Sequence, residues 1–284
     1  MNLNKLPLVL AATGLLFTSC QKDETSPETQ ELLNNEAPTS SQIPKEVIEK
    51  VSNLHFNSDY IETFELTLPG GATETTYLIE NDIAISADQL DKLSTADITS
   101  KQYRTNNLVT SPRTINVIGY TGTGYGQNLS DKMQDALERA VANYNDLNIG
   151  LTFNVSFGVN YSSSDIVVYK TSNGQAGGVA GFPSGGDPYK FVQIFSGMES
   201  YSTATNEHVI THEIGHTLGL RHTDWFSRQS CGQSGESANP DGAVHIPNTP
   251  KGYDANSVML ACFSANESGN FGYYDKIALE ELYD

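Results

Sequence analysis

Three histidines, His212, His216 and His222, stand close together, and their spacing constrains this chain more than any other feature. A separation of four stacks His212 and His216 on one face of a helix, about one turn apart. Leu218-Gly219-Leu220 then ends that helix, because glycine takes the left-handed backbone that lets a chain turn sharply. The turn returns His222 towards the other two. Three neutral imidazoles with an open fourth position match a catalytic zinc site, whereas a structural site is closed by four protein ligands, usually including thiolates. Glu213, next to the first ligand, is placed to accept a proton from water activated at the metal without being a ligand itself. With 6 His and 24 Gly in 284 residues, the whole pattern through His222 arises by chance in roughly one such chain in a hundred thousand. Core packing is therefore a poor explanation for the cluster.

The string His212-Glu213-Ile214-Gly215-His216-Thr217-Leu218-Gly219-Leu220-Arg221-His222 resembles the metzincin signature in the form borne by the dual-action HEIGH metallopeptidases. The resemblance is taken to cover residues 113–284. It implies an α/β catalytic domain: a mixed twisted sheet with two long helices, a zinc cleft, and a small C-terminal subdomain. It also implies one zinc ion per chain and endopeptidase activity, with water as nucleophile and Glu213 as general base. Metzincins carry a methionine-containing turn beneath the zinc, and Ser257-Val258-Met259 stands where that turn belongs, so Met259 is the candidate. Some relatives place a tyrosine two residues later as an extra ligand or oxyanion partner; Ala261 stands here, which leaves that partner unassigned.

Local pattern fills in the domain. Thr114 to Ile118 reads as a strand rich in β-branched residues. Ser130 caps a helix whose Met133, Ala136, Leu137, Ala140, Val141, Tyr144 and Leu147 line one face. Leu151, Phe153, Val155 and Phe157 alternate with polar residues as a half-buried strand does, and residues 166–169 and 191–195 supply two more. Between those last two, residues 174–186 are glycine-rich, suiting a loop or a bulged edge; the last helix is expected from Tyr274 to Tyr283. Three further polar residues are weighed. His208, one turn before His212, reads as an exposed helix histidine, with a contact to the cleft as the alternative, His245 as either cleft or packing, and Asp224 as either an orienting carboxylate or a solvated one.

The formal charge of −18 repels phosphate backbones and anionic lipid surfaces, so nucleic acid is excluded as a partner. Residues 1–19 read as a secretion signal, with Lys5 before an apolar run from Leu6 to Phe17 that is too short to span a bilayer. Cys20 follows small residues and resembles the lipidated cysteine of bacterial lipoproteins. Gln21-Lys22-Asp23-Glu24 resembles the acidic tag of lipoproteins shown on the outside of the outer membrane. The expectation is an exported, surface-displayed outer-membrane lipoprotein that touches the membrane only through that lipid. Residues 20–42 are too polar to order themselves and read as a tether. With Cys20 assigned, Cys231 and Cys262 remain to pair in an oxidising compartment.

Residues 43–112 form a small N-terminal region and a candidate prosegment. No cysteine outside the tether is free to plug a metal. Ile79-Glu80-Asn81-Asp82-Ile83 resembles, with departures at Ile79 and Asn81, the element by which astacin-type prosegments place an aspartate on the zinc, so Asp82 is the candidate latency ligand. The favoured function is zinc-dependent peptide hydrolysis, with a protein or peptide substrate bound extended along a sheet edge between residues 177 and 195. The alternatives are a surface binding module that keeps zinc for structure, and an enzyme that processes only itself.

Overall fold

A computed structural model describes residues 43–54, 56–93, 103–233 and 245–284. The secretion signal, Cys20 and the tether lie outside the described residues. The N-terminal region opens with α1 (Lys45–Asn53), followed by β1 (Ile61–Thr67), β2 (Thr73–Ile79), β3 (Ile83–Ile85) and α2 (Ala87–Lys92). The three strands make an antiparallel meander in the order β1-β2-β3. Its last turn is tight: Ile79 pairs with Ile83, so residues 80–82 form the hairpin tip, and both Glu80 (φ 55°) and Asn81 (φ 77°) take left-handed backbone. Asn tolerates that conformation better than most residues, which suits it to the second of those positions.

The second sheet holds β4 (Arg113–Tyr120), β5 (Leu151–Gly158), β6 (Ile166–Thr171), β7 (Gly178–Val179) and β8 (Phe191–Phe195) in the order β5-β4-β6-β8-β7. The first four neighbours run parallel and β7 runs antiparallel along the edge. The sheet is mixed, as expected. The parallel step from β4 to β5 needs a crossover, and α3 (Asp131–Asn145) supplies it, capped by the Ser130 side chain. α3 and the long α4 (Thr203–Leu218) cover one face of the sheet, burying Ile115, Val117, Ile166, Val168, Val192 and Ile194 beneath them. The glycine-rich stretch read as a loop or bulged edge contains the short edge strand β7.

Two tyrosines fasten α4 to its neighbours through its own carbonyls. Tyr144 on α3 donates its hydroxyl to Thr211 O at 2.8 Å, and Tyr283 on the terminal helix α5 (Tyr273–Tyr283) donates to Leu218 O. α4 stops at Gly219, where φ is 105°. The bonds from Leu220 N to Gly215 O and from Gly219 N to His216 O are those of a Schellman ending. A side chain at Gly219 would also meet Asn107 O at 2.7 Å, so the position excludes anything larger. The returning chain is held by residues 103–105: Arg221 N donates to Tyr103 O and Thr105 N to Gly219 O, each at 2.8 Å. No helix among the described residues is long and apolar enough to cross a membrane.

Candidate metal centre

The helix and its break bring the three histidines together. Their ring centroids lie 4.6 Å apart for His212 and His216, 4.9 Å for His216 and His222, and 5.3 Å for His212 and His222. Each ring spends its Nδ1 on a fixed acceptor. His212 Nδ1 lies 2.9 Å from Val258 O and His216 Nδ1 lies 2.8 Å from Leu220 O. A carbonyl oxygen only accepts, so both nitrogens carry the proton and both Nε2 atoms face inward with a lone pair. His222 Nδ1 lies 3.0 Å from a carboxylate oxygen of Glu80, which likewise fixes a proton on that nitrogen.

The acceptor for His212 is itself supported. Asp275 on α5 accepts from Ser257 Oγ at 2.6 Å, Val258 N at 2.8 Å and Gly272 N at 2.9 Å. That carboxylate fixes the turn Ser257-Val258-Met259, which presents Val258 O to His212. Met259 is 2% exposed and lies directly under α4: a side chain on Gly215 would meet Met259 Sδ at 2.6 Å. Thr223 N donates to Met259 O at 2.8 Å, which ties the turn to the residue after His222.

Glu213 is buried against the edge strand β7. Its carboxylate has room only because residue 178 is glycine: a side chain there would meet Glu213 Cγ and Oε1, each at 2.8 Å. Burial, and next the charge of Asp82, push the Glu213 carboxyl well above the ordinary carboxylate range.

The hairpin tip of the N-terminal region enters this space. Asp82 Oδ2 lies 2.8 Å from His222 Nε2 and 3.6 Å from His212 Nε2. Burial alone would raise Asp82, but His222 and His212 outweigh it and hold the carboxyl below its usual range. The converse holds for His222, where burial is outweighed by Asp82 and Glu80, which lift it to about 10. His216 is pushed the other way, far below its usual value, by burial and then by His212 and His222. Asp82, His212, His216 and His222 each offer a ligand atom within 4.8 Å of the others, while Asp82 Oδ1, Glu213 Oε2 and His216 Nε2 are buried with no hydrogen-bond partner. Three imidazole nitrogens and a carboxylate fit a zinc-type ion.

The same segment covers the sheet edge. Ala180 N donates to Asp82 O at 3.0 Å and Ala84 N to Ala180 O at 2.7 Å, so residues 82–84 run parallel to the outer side of the edge strand. Beyond Asp82 a cavity of about 360 Å³ stays open, walled by Phe195, Tyr201, His208, Leu260 and Phe263 and reaching Glu213.

Other expectations fall out variously. His208 is not an exposed helix residue: it is 5% exposed and bonded through Nδ1 to Ser268 O at 3.0 Å. The C-terminal loops fold over the start of α4, and burial, followed by His212, lowers His208 to about 4. Asp224 orients backbone and no ligand, accepting from Ala261 N and Ser230 N, each at 2.9 Å. His245 bonds Thr249 O at 3.0 Å and does not line the cavity. Cys231 and Cys262 form a disulfide with their Cα atoms 5.1 Å apart, linking the loop after His222 to the loop after Met259. Sequence reasoning missed Glu80 and Arg221. Arg221 is 2% exposed and pairs with Glu80 at 3.1 Å. An arginine set directly between apolar Leu220 and the third histidine is a signal that a counter-charge lies elsewhere in the chain, though it does not say which.

The profile described as dual-action HEIGH metallo-peptidase matches residues 77–283. That range includes the hairpin tip as well as the histidines. Among solved structures, one titled "Crystal structure of myroilysin" is 15% identical, covering 71% of this chain and 98% of that one at a TM-score of 0.40. A second, "Structure of Myroilysin", is 13% identical, covering 68% and 94% at the same TM-score. No curated protein matches this chain.

Asp275 provides a first test. Asp275→Ala strands buried donors at roughly 1–3 kcal/mol each, so the urea midpoint is expected to fall and divalent-metal binding to weaken as Val258 O drifts. Metal affinity equal to that of the wild type would detach Asp275 from the support of His212.

Proposed function

The chain belongs to the dual-action HEIGH metallopeptidase family and is a metallopeptidase, and on that premise we propose that it is a zinc endopeptidase whose ion is held by His212, His216 and His222, with Glu213 as general base. The observation that carries this reading is the convergence of three Nε2 atoms on one point, with the buried Glu213 carboxylate beside it and each outer Nδ1 already committed. Zinc, when bound, polarises the scissile carbonyl and acidifies the attacking water. Glu213 takes the proton and delivers it to the leaving amine. His212 and His216 keep their lone pairs on the metal side because the opposite nitrogen donates to backbone.

The substrate is read as an extended peptide pairing with the outer side of the edge strand near Ala180, where residues 82–84 now lie. Gly178 leaves nothing between that edge and Glu213, which lets a peptide backbone come close to the carboxylate. The adjoining cavity, walled largely by Phe195, Tyr201, Leu260 and Phe263, suits an apolar side chain of the substrate.

The same geometry supports self-latency, with residues 43–112 as prosegment. Asp82 reaches the ligand nitrogens of His222 and His212, and a carboxylate there takes the position the attacking water needs. Full-length Asp82→Ala is therefore expected to hydrolyse a denatured protein faster than the wild type. Equal rates would remove Asp82 as the plug. In that unplugged background, Glu213→Ala should keep one zinc per chain and lose roughly 10²–10⁴-fold in rate, and a chelator should abolish the remainder. Full hydrolysis by the Glu213→Ala protein would refute the assigned base.

The chain is further read as an exported lipoprotein carried on Cys20. The disulfide Cys231–Cys262 supports export, since such bonds persist in oxidising compartments. Wild-type protein is expected in the membrane fraction, open to protease added to whole cells, and Cys20→Ser in the soluble fraction. Unchanged fractionation of Cys20→Ser would sink the anchor.

A further inference from the structure

Two of the three histidines are oriented by backbone carbonyls of the catalytic unit, Val258 O and Leu220 O. The third is oriented by a side chain from another part of the chain. Glu80 stands at the hairpin tip two residues before Asp82, is fully buried, and places Oε2 3.0 Å from His222 Nδ1. The tip thus grips the His222 ring at both nitrogens, Glu80 outside and Asp82 inside at 2.8 Å.

We propose that Glu80 is a positioning residue for the metal centre: it holds His222 in register for zinc, so the N-terminal region both plugs the site and builds part of it. Three observations support this. Arg221 Nη2 donates to Glu80 Oε1 at 3.1 Å and the Asn57 backbone N–H donates to the same oxygen at 3.1 Å, so Oε1 is fully engaged and Oε2 is left for the imidazole. Arg221 is itself clamped, its guanidinium lying 4.0 Å from the Phe56 ring centroid and 5.2 Å from that of Trp225. Arg228 Nη1 donates to the Glu80 backbone carbonyl at 3.4 Å, which fixes the main chain at the same residue. A carboxylate held this firmly is built to orient the group it touches. Carboxylate partners on the outer nitrogen of a ligand histidine set the ring and raise its basicity, and losing one typically costs 10–100-fold in metal affinity.

The inference rests on the zinc assignment, and the test separates the two. Zinc affinity is measured on the full chain by competition with a chromophoric chelator, in an Asp82→Ala background so that the plug makes no contribution. Adding Glu80→Gln is expected to weaken zinc 10–100-fold. Because that change leaves Arg221 without a full counter-charge, Glu80→Met/Arg221→Met is run alongside; replacing a buried ion pair by apolar groups of similar size is often neutral for folding. A double variant that melts like its parent yet binds zinc 10–100-fold more weakly supports the positioning role, as does a shift in the visible bands of its cobalt-loaded form. If the folded double variant binds zinc as tightly as its parent, Glu80 only neutralises Arg221 and the proposal is overturned. Should the double variant fail to fold, parental zinc affinity in Glu80→Gln overturns it equally. Absence of zinc binding in the wild type and in Asp82→Ala alike would overturn the metal assignment and this inference together.

Discussion

Three imidazoles can share one ion only if each keeps its proton on the far nitrogen, and in this chain that requirement reaches well beyond the helix that carries two of them. Val258 O, Leu220 O and the Glu80 carboxylate each fix one Nδ1. Those acceptors come from the methionine turn, the return after Gly219 and the N-terminal hairpin. Much of the remaining structure holds these three in place. Asp275 fixes the turn, the Schellman ending fixes the return, and the paired Arg221 fixes the hairpin. The geometry of the candidate metal centre and the fold depend on the same hydrogen bonds.

Charge burial explains why the N-terminal region sits where it does. A fully buried carboxylate is costly unless paired and hydrogen-bonded. Glu80 meets that condition through Arg221, His222 and the Asn57 backbone, and despite burial its carboxyl is held below the usual range, Arg221 being the leading favourable influence. Arg221 in turn is buried between aromatic rings and has Glu80 as its counter-charge. The hairpin and the return segment therefore complete one another. Apolar packing adds to this, with Leu66, Leu78 and Ala84 meeting Val179 and Phe195 at the sheet edge, and Ile79, Ile83 and Ile85 meeting Phe182.

Edge strands offer unpaired backbone groups that invite another chain. Here the chain covers its own edge. Residues 82–84 bond to Ala180 on the outer side of the edge strand, so one short segment spends the pairing groups of the edge and points a carboxylate at the histidines. The open cavity next to it marks the part of the cleft that the segment leaves uncovered.

What the sequence determined by itself was local. The four-residue repeat of His212 and His216, the glycine that ends their helix, the capping serine of α3 and the alternation in β5 act over a few residues, where helix and strand periods fix the outcome. The histidine string, its neighbouring glutamate and the family were legible for that reason; the cysteine pair followed instead from setting Cys20 aside, and Asp82 from a short motif. Tertiary structure decided the rest. Glu80 and His222 are 142 residues apart and Asp275 and Val258 are 17 apart, and no periodicity links such pairs. His208 looked like a surface residue of an amphipathic helix, yet α4 is buried on nearly every side because the sheet, α3, the C-terminal loops and the hairpin all close on it. Burial of a helix depends on how many elements pack around it, and that is set by topology, which the helix's own residues do not encode.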